Sequence, residues 1–160
     1  MLEQLGKQAK EASIILGKAG IEDKNEVLRE AAKCLVQNQE YILSENYKDV
    51  ENAKEISDFV VVSCHWGNEY DTEPDAFQKK YAKLFADLGV DVILGTHSHT
   101  LQPVEWVEGK DGHKTLVAYS LGNFVSGMME EETQLEGMIS FDLKKEDNRC
   151  SIENVVLTPY

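Results

Sequence analysis

The chain has 160 residues, 42% of them hydrophobic, which suits one domain or one domain with a small appendage and is enough for a real core. Its formal net charge of −13 argues against a nucleic-acid partner and against an acidic membrane surface. The same charge repels an anionic substrate unless a metal ion reverses the local field. The three cysteines, Cys34, Cys64 and Cys150, are widely spaced and form no Cys-x-x-Cys pair, so they read as reduced thiols. No apolar run approaches the roughly 20 residues of a membrane span, and Met1–Lys7 lacks the long apolar centre of a signal peptide. The expected location is cytoplasmic.

Residues 1–57 read as helical. Leu2, Leu5, Ala9, Ala12 and Leu16 recur at helical spacing, and Gly17 and Gly20 punctuate the run. Asp23 and Glu26 form an Asp-x-x-Glu start signal resembling a capping box, after which Val27, Leu28, Ala31, Leu35 and Val36 form one stripe that Ile42 and Leu43 extend. The expectation is two amphipathic helices packed on each other or on a partner. This segment has no histidine, and nothing in it carries chemistry.

From Asp58 the pattern changes. Phe59–Cys64 reads as a strand, Pro74 to Leu88 as a helix with proline in its first turn, and Val90–Leu94 as a second strand. Strand, helix and strand make a βαβ unit with parallel pairing. Val104–Glu108 and Lys114–Tyr119 flank the turn signal Gly109-Lys110-Asp111-Gly112. Leu135–Leu143 and Cys150–Leu157 are two further strands, turning at Lys144–Asn148. The expected fold class is α/β: a helical segment over 1–57, then a βαβ unit and hairpins over 58–160. Charge divides unevenly between them. Residues 1–57 hold 8 basic and 11 acidic side chains, a net of −3, and residues 58–160 hold 8 and 18, a net of −10.

Three of the four histidines follow the ends of the first two strands. His97 and His99 stand one residue apart on the loop begun by Gly95, and His65 ends the other strand. Ligands of open α/β sheets bind at the carboxyl ends of strands. Imidazole, largely unprotonated at neutral pH, suits zinc, iron or manganese. Expected metal ligands are therefore His65, His97 and His99, with Glu69 a distant carboxylate candidate. His113 reads as a solvated turn residue, Trp66 as packing and Asn123 as a turn residue. Glu130-Glu131-Glu132 reads as a solvated loop face.

His65-Trp66-Gly67-Asn68-Glu69-Tyr70, Gly95-Thr96-His97-Ser98-His99 with Leu101-Gln102-Pro103-Val104-Glu105, and Tyr119-Ser120-Leu121-Gly122-Asn123-Phe124 stand in an order that resembles the CapA-type poly-γ-glutamate capsule-biosynthesis family. That family lies within the calcineurin-like metallophosphatase superfamily. The resemblance covers residues 58–158 and implies part of a metallophosphatase-like αββα sandwich. It also implies a divalent transition metal (Mn, Fe or Zn), a small phosphorylated or glutamate-polymer-related substrate, and hydrolysis of a phosphate ester. In the superfamily two metals share a site: His65 and His97 would match ligands to one, His99 a ligand to the other. The superfamily's earlier Asp and Asn motifs have no match here, so one ion in place of two, and an inactive scaffold in place of an enzyme, both stand as readings. No residue is assigned as catalytic. The missing neighbouring strands predict a bare sheet edge and self-association through it, unless the N-terminal helices cover that edge.

Met1–Ser13, Lys24-Asn25-Glu26 and Ile42-Leu43 are similar to the N-terminal helices of γ-glutamyl phosphate reductase. The likeness covers residues 1–55 and lacks that enzyme's nucleotide-binding and catalytic-cysteine regions. It implies a join of two family fragments near residues 50–57.

Overall fold

A computed structural model describes residues 2–147 and 149–160. Its elements are α1 (Leu2–Lys18), α2 (Ile21–Gln37), α3 (Gln39–Ile56), β1 (Val61–His65), α4 (Ala76–Asp87), β2 (Val92–Thr96), β3 (Val104–Glu108), β4 (Lys114–Ala118), β5 (Gly137–Glu146) and β6 (Arg149–Pro159). The α/β class expected from sequence is what forms: helices, a mixed sheet and a hairpin sheet. Two compact units divide between Tyr47 and Lys48.

The first unit corrects the helical reading in two respects. Three helices form where two were expected, because Asn38 interrupts the stripe: its backbone N–H and its side chain both bond the Cys34 carbonyl and close α2. Asp23 does not open a helix. It is the third residue of α2, and its carboxylate reaches back to the Gly20 N–H at 3.2 Å, so the helix starts three residues earlier than the Asp-x-x-Glu pattern suggested. Neither α1 nor α2 has a buried residue, and Leu2, Ile15, Ile21 and Val36 are each more than 70% exposed. The apolar stripes are real, but these helices do not bury them on each other.

In the second unit the four-stranded sheet has the order β1-β2-β4-β3. β1 and β2 are parallel, with Val61 opposite Val92 and His65 opposite Thr96. β4 adds parallel to β2, and β3 pairs antiparallel with β4, Val104 opposite Ala118. The β1-α4-β2 unit is thus parallel, as strand-helix-strand connectivity requires. Helix α4 begins two residues later than Pro74 suggested. Asp75 caps it, accepting from the Gln78 N–H at 2.7 Å, and the Gln78 carboxamide returns to the Asp75 N–H at 3.0 Å. Pro74 therefore precedes the cap.

The core gathers where the sheet meets helical side chains: Val60, Ile93, Val117 and Tyr119 with Ala82, Val90, Trp66 and Val50. Trp66 acts as packing, as expected. It is 7% exposed, stacks on Tyr119 with ring centroids 6.0 Å apart, and donates its indole N–H to the Tyr119 carbonyl at 2.9 Å. β5 and β6 form a separate antiparallel hairpin with a register shift between Ser140 and Asp142. The residue Asn148 of its expected turn lies outside the described residues. β1 is an edge strand, and Val61, Ser63 and His65 on one of its faces are exposed.

Candidate metal centre

Parallel pairing in register sets the geometry at the carboxyl ends of β1 and β2. His65 closes β1 beside Thr96, and His97 is the next residue of the second chain segment. The Trp66 N–H bonds the Thr96 carbonyl at 3.1 Å, holding the two loops together as they leave the sheet. The His65 and His97 rings lie 4.4 Å apart, centroid to centroid, and His97 and His99 6.3 Å apart. The structure thus brings all three sequence-nominated histidines to one end of the sheet. His65 is exposed and the other two are half-buried.

The backbone there is unusual. His97 has φ 104° and His99 φ 60°. Positive φ costs a non-glycine residue about 1–3 kcal/mol and persists where the surroundings hold it. The surroundings are a buried polar network. Ser98 and Thr100 are fully buried; the Thr100 hydroxyl donates to the Asp71 carbonyl at 2.5 Å, and the Ser98 hydroxyl to the Thr100 carbonyl at 3.1 Å. The Gln102 amide donates to the Asp71 carbonyl at 3.0 Å and accepts from the Gln78 amide at 2.8 Å. The Tyr70 N–H donates to the Ser98 carbonyl at 2.7 Å. These bonds tie the loop after β1, the loop after β2 and the start of α4 into one frame. Sequence reading missed Gln78, Ser98, Thr100 and Gln102 because polar residues in a helix's first turn or in a loop look solvated until burial is known.

Asn123 was also read too simply. Its Oδ1 lies 2.8 Å from His99 Nδ1, and its Nδ2 3.4 Å from the His99 carbonyl. His113 is corrected in the same way. Its Nε2 bonds the Val90 carbonyl at 2.8 Å at the opposite end of the sheet, so it is a partly buried staple and not a solvated turn residue. Glu130, Glu131 and Glu132 are exposed, as a solvated face should be.

The donor set fits one kind of ion better than another. Three neutral imidazoles suit a single divalent transition metal. A two-metal centre needs carboxylates to offset mutual repulsion. Glu69 is exposed, and the Asp71 carboxylate accepts from the Asn68 amide at 3.0 Å. Among the described residues, no group of three His, Cys, Asp or Glu side chains is arranged to hold an ion as it stands. The loops 65–73, 95–103 and 119–129 contain no lysine or arginine, so any phosphate there would need a bound cation for charge.

Cys64 adjoins His65 but offers no thiolate. Burial pushes its thiol up to about 11, so it stays protonated at neutral pH. Cys34 is exposed and Cys64 half-buried, and both are free thiols. Iodoacetamide at pH 8 is expected to modify Cys34 at least about tenfold faster than Cys64. Peptide mapping that found equal rates would contradict the burial of Cys64.

The sequence profile described as bacterial capsule synthesis protein PGA_cap matches residues 6–128. The chain belongs to that family. It is 40% identical over 96 residues to the PGA biosynthesis protein CapA of Bacillus subtilis (strain 168), covering 60% of this chain and 24% of that protein. It is 35% identical over 128 residues to the capsule biosynthesis protein CapA of Bacillus anthracis, 80% of this chain and 29% of that protein. The chain thus spans about a quarter of the length of these relatives. A shorter likeness, 51% identity over 51 residues, relates 32% of the chain to 12% of the γ-glutamyl phosphate reductase of Francisella philomiragia. Both resemblances read from the motifs are therefore present. Among the described residues, no helix is long and apolar enough to cross a membrane.

Proposed function

We propose that this chain contributes a histidine-built ion site to capsule polymer synthesis. In this reading His65, His97 and His99 hold one divalent transition metal, and a small phosphorylated or glutamate-polymer-related ligand docks against it. The observation that carries it is the convergence of three imidazoles, rings 4.4 and 6.3 Å apart, on loops with no fixed cation. When bound, the ion would supply positive charge to polarise a phosphoryl oxygen. The chain's own groups do the rest. The Ser98–Thr100–Gln102 network fixes the loop, Trp66 and Tyr119 exclude water beneath it, and Tyr70 flanks His99 with ring centroids 6.2 Å apart. The helices of residues 1–57 bear no part of this chemistry, and the functional division in this reading is 1–57 and 58–160.

Hydrolysis is expected to be very weak. Among the described residues no carboxylate joins these imidazoles in a group arranged to hold an ion, which is also the observation favouring the rival reading, a scaffold without turnover. The test is turnover of p-nitrophenyl phosphate with excess manganese, comparing the chain with His65→Ala. Both should stay close to the metal-only background. Robust turnover that vanishes in His65→Ala would show a complete two-ion centre and overturn the single-ion reading.

Self-association belongs to the same proposal. β1 is an edge strand of the four-stranded sheet, and exposed edges pair with other chains. Sedimentation should show mass rising with concentration. A clean monomer throughout the micromolar range would contradict it.

A further inference from the structure

We infer that Asn123 fixes the tautomer of His99, keeping the ring proton on Nδ1 and leaving the Nε2 lone pair free to meet a divalent transition metal. Asn123 is a positioning residue in this scheme. The consequence for ion binding rests on the proposed metal site; the tautomer itself is a property of the metal-free chain.

The orientation of the Asn123 amide decides the tautomer. Its Oδ1 lies 2.8 Å from His99 Nδ1, and its Nδ2 lies 3.4 Å from the His99 carbonyl and 3.7 Å from Met128 Sδ. A carbonyl oxygen and a thioether only accept. With the amide turned over, Oδ1 would face two acceptors and Nδ2 would lose both partners. The amide therefore keeps Nδ2 towards the carbonyl and Oδ1 towards the ring. Oδ1 only accepts, so Nδ1 must carry the proton. A neutral imidazole has one N–H, and Nε2 is left bare. Free histidine in water prefers the opposite tautomer, so the hydrogen bond reverses the default.

The neighbouring backbone makes this contact durable. Asn123 follows Gly122, whose φ of 76° turns the chain after β4. Leu121 bridges Leu101, and the Gln102 N–H donates to the Ser120 carbonyl at 3.0 Å. Asn123 thus reaches His99 from a loop clamped to the histidine loop itself, across 24 residues of sequence. Partners of this kind orient metal-binding histidines, and their loss typically costs about 10–100-fold in affinity.

The test is long-range ¹H–¹⁵N correlation of the imidazole nitrogens in the metal-free chain at pH 8, with chelator present. The His99 Nδ1 should resonate as a protonated nitrogen and Nε2 as a bare one. Asn123→Ala should shift the ring towards Nε2–H, and Asn123→Asp, which keeps an acceptor at the same place, should restore the parent pattern. A parent spectrum with His99 protonated on Nε2 would overturn the inference, even if neither variant folds. So would an Asn123→Ala spectrum unchanged from the parent. Calorimetry with zinc supplies the second arm, where Asn123→Ala should bind about tenfold more weakly. The expected tautomers with equal zinc affinity would overturn the role of His99 towards the ion. Absence of zinc uptake by the parent would instead overturn the metal reading and leave the tautomer assignment intact.

Discussion

Gly95→Ala should cost the second unit about 3 kcal/mol or more, the upper end of what overpacking a close contact costs. A Cβ at position 95 would fall inside the Tyr119 carbonyl group and only 2.5 Å from the Trp66 indole nitrogen. Neither neighbour can withdraw freely. The Tyr119 carbonyl is backbone, and it already accepts the indole N–H at 2.9 Å. Relief requires β2 and the segment after β4 to part, or Trp66 to leave its stack on Tyr119. Both routes move the start of the histidine loop. Thermal unfolding should show a midpoint lower by about 10 °C, and the indole N–H resonance of Trp66 should shift. An unchanged midpoint would mean that the glycine is not required by this contact.

Substitution of His97 should separate stability from ion binding. At φ 104° the residue is held where a Cβ is disfavoured. His97→Gly removes that cost, while His97→Ala keeps it. The glycine variant should therefore be the more stable of the two by about 1 kcal/mol. Both should bind zinc at least about tenfold more weakly than the parent, since each lacks the imidazole that lies closest to His65. Denaturant midpoints and zinc titrations on the same preparations check the two halves together. Equal stability of the two variants would show that the backbone strain is not real in solution. Equal zinc affinity in parent and variants would remove His97 from the site.

The strand-end histidines were legible in the sequence because apolar runs mark strands and chemistry follows their carboxyl ends. β3 appears at the residues that the flanking turn signal indicated, and β1 and β2 are displaced by only one or two residues from Phe59–Cys64 and Val90–Leu94. The helical segment was legible as helix but not as packing. Its periodicity shows which face is apolar, and nothing in periodicity says what covers that face: Leu28 and Leu35 are both more than 60% exposed. Least legible were the polar contacts. Gln78, Gln102 and Thr100 are fully buried, and His113 bonds the Val90 carbonyl, because the chain must satisfy backbone groups where loops pass under one another. Asn123 carries a turn residue's composition signal and a histidine partner's role. Long-range pairing, the Leu121–Leu101 bridge and the bond from the Gln102 N–H to the Ser120 carbonyl, brings it to His99.

The most direct test of an ion site at the strand ends is calorimetric titration of zinc into the metal-free chain, beside a His65→Ala, His97→Ala double variant. His65, His97 and His99 acting together predict one saturable ion per chain in the parent and loss of that binding in the double variant. Saturable binding that survives in the double variant, or no saturable binding in the parent, would contradict it.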